Sequence, residues 1–211
     1  MGDFTGFSPW GPQFYSALEG QNTHEYWTAN KDRWQREVRD PMRALAAALE
    51  PEFGPLTVRR PNRDLRFSAD RSPYKTHQGV INGPSPGLGF YLHLDADGLA
   101  VGGGFRSGSA AQTARFRRAV DEDADGVLPA IVGDLVARGY SIEGASVKTR
   151  PRGYRDDHPR IGLLRRKELM AISYVGQPTW LRTPTALDHV RAAWREVRPL
   201  ADWLDANVGT D

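Results

Sequence analysis

The chain has 211 residues, 28 Lys and Arg against 26 Asp and Glu, and no cysteine. Disulfides and thiolate metal sites are therefore excluded, and a formal net charge of +2 is too small by itself to mark a nucleic-acid binder. No apolar run approaches the ~20 residues of a membrane span, and no charged and then apolar leader opens the chain. Position six is Gly6, where an acylation signal starting at Met1-Gly2 wants Ser or Thr. A soluble, cytoplasmic protein forming one compact domain over residues 1–211 is expected.

An aromatic and glycine-rich lead-in from Phe4 to Trp10 precedes a short helix expected over Pro12 to Leu18 and stopped by Gly20. Asn22, with Glu25 three residues on, has the form of a helix cap with its reciprocal partner. Trp27, Lys31, Trp34 and Val38 then recur at helical spacing, Lys31 being the polar intruder. Asp40-Pro41 predicts a kink or a fresh start, because proline has no N–H to give. Met42, Leu45 and Leu49 continue the apolar face, and Pro51 is expected to end it.

Leu56 to Arg60 reads as a strand, and the run Gly83, Pro84, Pro86, Gly87, Gly89 as a loop. Phe90–Leu94 and Leu99–Val101 flank Asp97-Gly98, a strong hairpin signal, with Gly102 to Gly104 expected to end the hairpin and admit a close neighbour. Helices are predicted over Ala110–Val120 and Val127–Ala137, a strand over Ile142–Lys148, a helix over Pro159–Leu169 and a strand over Met170–Val175. A last helix, capped by Thr183 or Thr185, has the stripe Leu187, Val190, Trp194, Val197, Leu204 and a kink at Pro199. The irregular interleaving and the hairpin predict an α+β fold, a mostly antiparallel sheet with helices packed on it.

Charge is concentrated in two places. Arg59 to Lys75 holds six Lys/Arg against two Asp, and Lys148 to Lys167 holds eight against two. Half of the 28 basic residues thus fall in two segments, which points to an anionic partner. Asn62 to His77 packs guanidinium, carboxylate, phenol, amine and imidazole groups together. Arg63, Arg66 and Lys75, joined by Arg152 and Arg165, are the expected anion ligands, since guanidinium forks match phosphate or carboxylate. Asp64 and Asp70 are expected to orient those arginines. Tyr74, Tyr154, His77 and His158 are the candidates for proton transfer. For His158 a loop histidine bonded to backbone is the competing reading, because the adjacent Asp157 should point away. A structural ion network competes with the whole site.

Other signatures fall short. Asp121, Asp123 and Asp125 with Gly126 copy half of a calcium loop, but Val132 stands where the bidentate glutamate belongs, so a solvated acidic turn is expected. The five histidines show no i,i+4 pairing, and neither a phosphate-cradling GxxxxGK[ST] loop nor a GxSxG elbow is present. No metal and no cofactor are expected.

The blocks Arg63-Asp64, Arg66-Phe67-Ser68, Asp70 and Pro73-Tyr74-Lys75, then Pro151-Arg152-Gly153-Tyr154, Asp157-His158-Pro159 and Leu163-Leu164-Arg165, resemble the family called domain of unknown function 2461. Trp27, Asn30, Lys31, Gly103-Gly104-Phe105 and Arg115 add weaker likeness, and Arg71 stands where that family usually has lysine. The resemblance implies no activity. The expected function is a basic pocket, formed where the two segments meet, that binds, with or without transforming, a small phosphate- or carboxylate-bearing molecule. The alternatives are a nucleic-acid-binding module and an interaction domain without chemistry.

Overall fold

A computed structural model describes residues 3–64, 66, 71–82, 88–106 and 109–209. The opening helices are α1 (Trp10–Gly20), α2 (His24–Trp34) and α3 (Asp40–Phe53), with a π-helical turn at Gln35–Arg39 joining the last two. Pro41 explains that turn. It has no N–H to return to the preceding turn, and widening the helix by one residue lets Asp40 N–H reach Gln35 O instead. Asp40-Pro41 therefore neither ends nor restarts the helix. Pro51 does not end it either: α3 runs on to Phe53, and Gly54 with φ +78° closes it. Trp27, Trp34, Val38, Met42, Leu45 and Leu49 are buried, as the stripe predicts, while Lys31, the polar member of that stripe, is exposed.

Six strands follow: β1 (Leu56–Val58), β2 (Gln78–Asn82), β3 (Leu88–Leu94), β4 (Leu99–Phe105), β5 (Ser141–Glu143) and β6 (Leu169–Gly176). They form an antiparallel sheet in the order β1-β2-β3-β4-β6-β5, with helices packed on it, and the fold is α+β. Along the β5–β6 pair Ser141 faces Ile172, Ile142 faces Ala171 and Glu143 faces Met170. Between β3 and β4 the turn closes through Asp95 N–H to Gly98 O at 3.0 Å, with the Asp95 carboxylate taking the amides of Asp97 and Gly98.

The glycines of β4 do not end the hairpin. Every residue of the strand is buried, and a methyl group on Gly102 or Gly104 would strike the carbonyl of Ala171 or Leu169 in β6. The close neighbour they admit is β6.

Helices α4 (Ala110–Glu122), α5 (Val127–Ala137), α6 (Ile161–Leu164) and α7 (Ala186–Asn207) complete the fold, with a 3-10 turn at Thr179–Arg182. Ser109 and Gln112 form the reciprocal capping box of α4. α7 continues through Pro199. The strand expected over Ile142–Lys148 is only β5 and one bridge, Ser146 to Arg166, and the helix expected over Pro159–Leu169 is only the single turn α6. The strand stops early at Gly144, whose φ of +113° breaks the extended run, and the helix stops early because Arg165 to Glu168 offers no apolar side chain to anchor another turn.

The chain divides into two compact units: residues 1–81, 92–101 and 174–191, and residues 82–91, 102–173 and 192–211. The first unit buries the aromatic cluster of Phe14, Tyr15, Trp27 and Trp34, in which Trp34 donates to the Tyr15 hydroxyl at 3.0 Å. The second is built around Phe105, Phe116, Leu135, Leu164, Leu169 and Leu204. Among the described residues no helix is long and apolar enough to cross a membrane.

Candidate functional site

In the first unit the two ends of the charged stretch are stitched together. Lys75 N–H donates to Pro61 O at 2.8 Å and Arg63 N–H to Pro73 O at 2.9 Å, flanking an antiparallel bridge between Asn62 and Tyr74. The stretch is thus a loop closed at its base.

Tyr74 is the anchor. Its ring stacks on Trp27 at 4.3 Å, its hydroxyl meets His24 Nδ1 at 2.9 Å, and it is 4% exposed. Asn22 grips its backbone from both sides, Nδ2 donating to Tyr74 O at 2.8 Å and Oδ1 accepting from Tyr74 N–H at 3.2 Å. Asn22 is therefore not the helix cap: Thr23 caps α2, accepting from Tyr26 N–H.

The loop base gathers like charges. The Lys75 ammonium donates to Arg60 O at 2.8 Å. Burial, and then the guanidiniums of Arg59, Arg60 and Arg63, lower its pKa below that of an ordinary lysine. Arg59 is held beside this group by β2, its N–H donating to Gly79 O and its carbonyl accepting from Gln78 Nε2 at 2.7 Å. Gln78 is 1% exposed and its Oε1 has no partner among the described residues.

His77 stands next in the chain. Burial, reinforced by His93 and Lys75, lowers its pKa to about 4, so the imidazole is neutral at physiological pH. Its ring lies 5.4 Å from that of His93, which pairs with Asp95 at 3.0 Å. Burial pushes the Asp95 carboxyl up, but His93 and the turn amides outweigh it and hold the group below its usual range.

Arg66, by contrast, is well exposed and forks onto Asp64 at 3.0 and 2.7 Å, so Asp64 does orient an arginine. That fork also holds the Asp64 carboxyl far below its usual range. Asp70 lies outside the described residues.

The second basic segment belongs to the second unit. Asp157 answers Arg155 with two bonds of 2.9 Å and is not the partner of His158. His158 turns instead to Asp121 of α4, Nε2 to Oδ1 at 3.1 Å, while its Nδ1 accepts from Arg160 N–H at 3.0 Å. Both ring nitrogens of His158 are thus engaged within the protein. Tyr154 packs edge-on to His158, with centroids 6.4 Å apart, and burial and Asp121 raise its phenol pKa. Arg150 bonds Tyr154 O at 2.9 Å and Asp156 at 3.2 Å, with Arg165 3.9 Å from the same carboxylate. Arg152 and Lys148 are exposed.

The structure thus groups Arg63, Lys75 and His77 in one unit, and Tyr154, His158 and Arg165 in the other. Sequence reasoning missed Asn22 and His24 as the holders of Tyr74, and Asp121 as the partner of His158, because each pair is separated by more than 30 residues. The acidic turn after α4 is a cap: Asp123 takes the amides of Val127 and Leu128 at 2.9 and 3.0 Å. One cleft of about 450 Å³ in the first unit is lined by Asp3, Thr5, Arg36, Asp40, Pro41, Arg43 and Ala44, away in sequence from the charged stretch. Among the described residues no group of three or more His, Cys, Asp or Glu is placed to hold a metal ion.

A family model described as "Conserved hypothetical protein (DUF2461)" matches residues 12–203. No curated protein and no solved structure matches. The chain belongs to that family, as its two motif blocks imply.

Proposed function

We propose that this DUF2461 protein binds a small phosphate- or carboxylate-bearing molecule at the base of the charged loop, on Arg59, Arg60, Arg63 and Lys75. The observation behind this reading is the Lys75 ammonium, half-buried among three guanidiniums that lower its pKa and bonded to a main-chain carbonyl. Gathering like charges around an ammonium destabilises its charged form, and an anion held there relieves the repulsion on Lys75. Arginine supplies the flat forks and lysine the point charge suited to oxyanions. His77 beside them is kept neutral by burial, so it offers a bound ligand a hydrogen-bond partner rather than a further charge. The nucleic-acid alternative calls for an open basic face, whereas Arg66 and Arg155 are each answered by a neighbouring carboxylate.

Calorimetric titration with inorganic phosphate and with citrate tests the reading. Lys75→Gln and Arg59→Gln should each weaken binding by at least about tenfold, or about 1.4 kcal/mol, with the far-ultraviolet spectrum unchanged. The sign of the pH effect follows from the lysine. Its positive charge is lost as pH rises, and its lowered pKa brings that loss to a lower pH than an ordinary lysine shows. Affinity should therefore fall on the alkaline side. Equal affinity in wild type and both variants would reject the site.

A further inference from the structure

Three arginines of the second unit share an unusual half-satisfied state. Arg117 of α4 gives Nε–H to Leu164 O at 2.9 Å, yet its Nη2 is buried with no partner among the described residues. Arg160 gives Nη2 to Asp121 O at 3.0 Å and leaves Nε buried and unpartnered. Arg165 has Nη2 at 3.9 Å from Asp156, beyond hydrogen-bond reach, and its Nε too is buried without an acceptor.

These three donors belong to one corner of the unit. Arg117 stands one helical turn before Asp121 on α4. Leu164, which it holds, directly precedes Arg165 at the end of α6, and Arg160 directly precedes that helix while reaching back to Asp121. The neighbouring carboxylates are already engaged, Asp121 with His158 and Asp156 with Arg150. Leaving one buried donor unmade costs roughly 1–3 kcal/mol, and more when the group is charged. Three together in one corner call for an acceptor that arrives from outside the chain.

We propose that the α4–α6 corner is an oxyanion site that takes a phosphate group, free or as a monoester, on Arg117 Nη2, Arg160 Nε and Arg165 Nε. Three donors from three separate side chains suit the three outer oxygens of a phosphoryl group better than the two of a carboxylate. Tyr154, whose ring lies edge-on to His158, has its phenol held protonated by burial and by Asp121. This site rests on none of the argument made for Lys75.

The test is an amide NMR titration of the full chain with inorganic phosphate and, separately, with phenyl phosphate. Chloride at equal ionic strength is the control. Saturating shifts are expected at residues 117–122 and 158–166, and Arg160→Gln and Arg117→Gln should each weaken them by at least about tenfold. The same shifts should persist in Lys75→Gln, which separates this site from the loop base. A preference for the ester over the free ion identifies a monoester ligand; equal binding identifies the phosphate group alone. Should Arg117→Gln fail to fold, Arg165→Gln, whose guanidinium holds no main-chain carbonyl, replaces it. Absence of shifts, shifts confined to residues 59–77, or shifts that survive both substitutions would overturn the proposal and leave water as the acceptor.

Discussion

Tyr74 shows how one side chain converts a highly charged segment into ordered structure. Its ring is committed to Trp27, its hydroxyl to His24 and its backbone to Asn22. Losing only the hydroxyl, as in Tyr74→Phe, should cost about 1 kcal/mol, whereas Tyr74→Ala should cost about 3–5 kcal/mol through the lost aromatic packing. Asn22→Ala, which removes both amide contacts to that backbone, belongs between them at about 1–3 kcal/mol. Urea unfolding of the three variants checks the order, and a neutral Tyr74→Ala would show the loop base to be anchored elsewhere. The reading of Asn22 as a cap failed for an instructive reason: Asn and Thr both make good caps, and the choice between Asn22 and Thr23 was made by a tyrosine 52 residues away.

At the scale of elements, β4 and its glycines hold the sheet to its register with β6. Gly104 combines φ +142° with a neighbouring carbonyl where a methyl group would sit, and Gly102 faces the same obstacle. Gly104→Ala should therefore destabilise by at least about 3 kcal/mol, with Gly133→Ala in α5, where a methyl group meets open space, as the near-neutral control. Chemical denaturation distinguishes them directly. The α5 cap is a milder device. Asp123→Ala should cost about 1 kcal/mol, because Val127 and Leu128 lose their acceptor and their amides turn to water. The π-helical turn at Gln35–Arg39 has a local cause in Pro41, yet a proline at that place is equally compatible with a kink or a break. Burial of Trp34 and Val38 before it and Met42 after it decided for continuity.

For the whole molecule, His77 ties stability to pH. Its imidazole has a pKa of about 4 when folded against 6.5 in an open chain, because burial, then the neighbouring His93, Lys75 and Arg63, oppose a proton while Asp95 partly favours it. The unfolded chain therefore takes up the proton first as pH falls. Stability is full above pH 6.5 and declines between 6.5 and about 4, by at most about 3 kcal/mol from this residue. His77→Gln should remove that portion while leaving the carboxylate contribution in place, so the wild-type minus variant difference in unfolding free energy should slope across this interval. A flat difference would mean that the imidazole is charged in the folded protein.

Periodicity and turn chemistry determined most of the elements: the helical stripe through Trp27 and Trp34, the Asp97-Gly98 hairpin and the α+β class all follow from interactions between residues near one another in the chain. Family membership was likewise legible in two short blocks of polar residues. Tertiary structure alone decided which carboxylate answers which cation. Arg66 and Arg155 were claimed by aspartates two positions away, His158 by an aspartate 37 positions away, and Lys75 was set among arginines. The physical reason is range: backbone propensity acts over a few residues, whereas a charge responds to whatever the fold places within a few ångströms of it, and sequence order does not encode that distance.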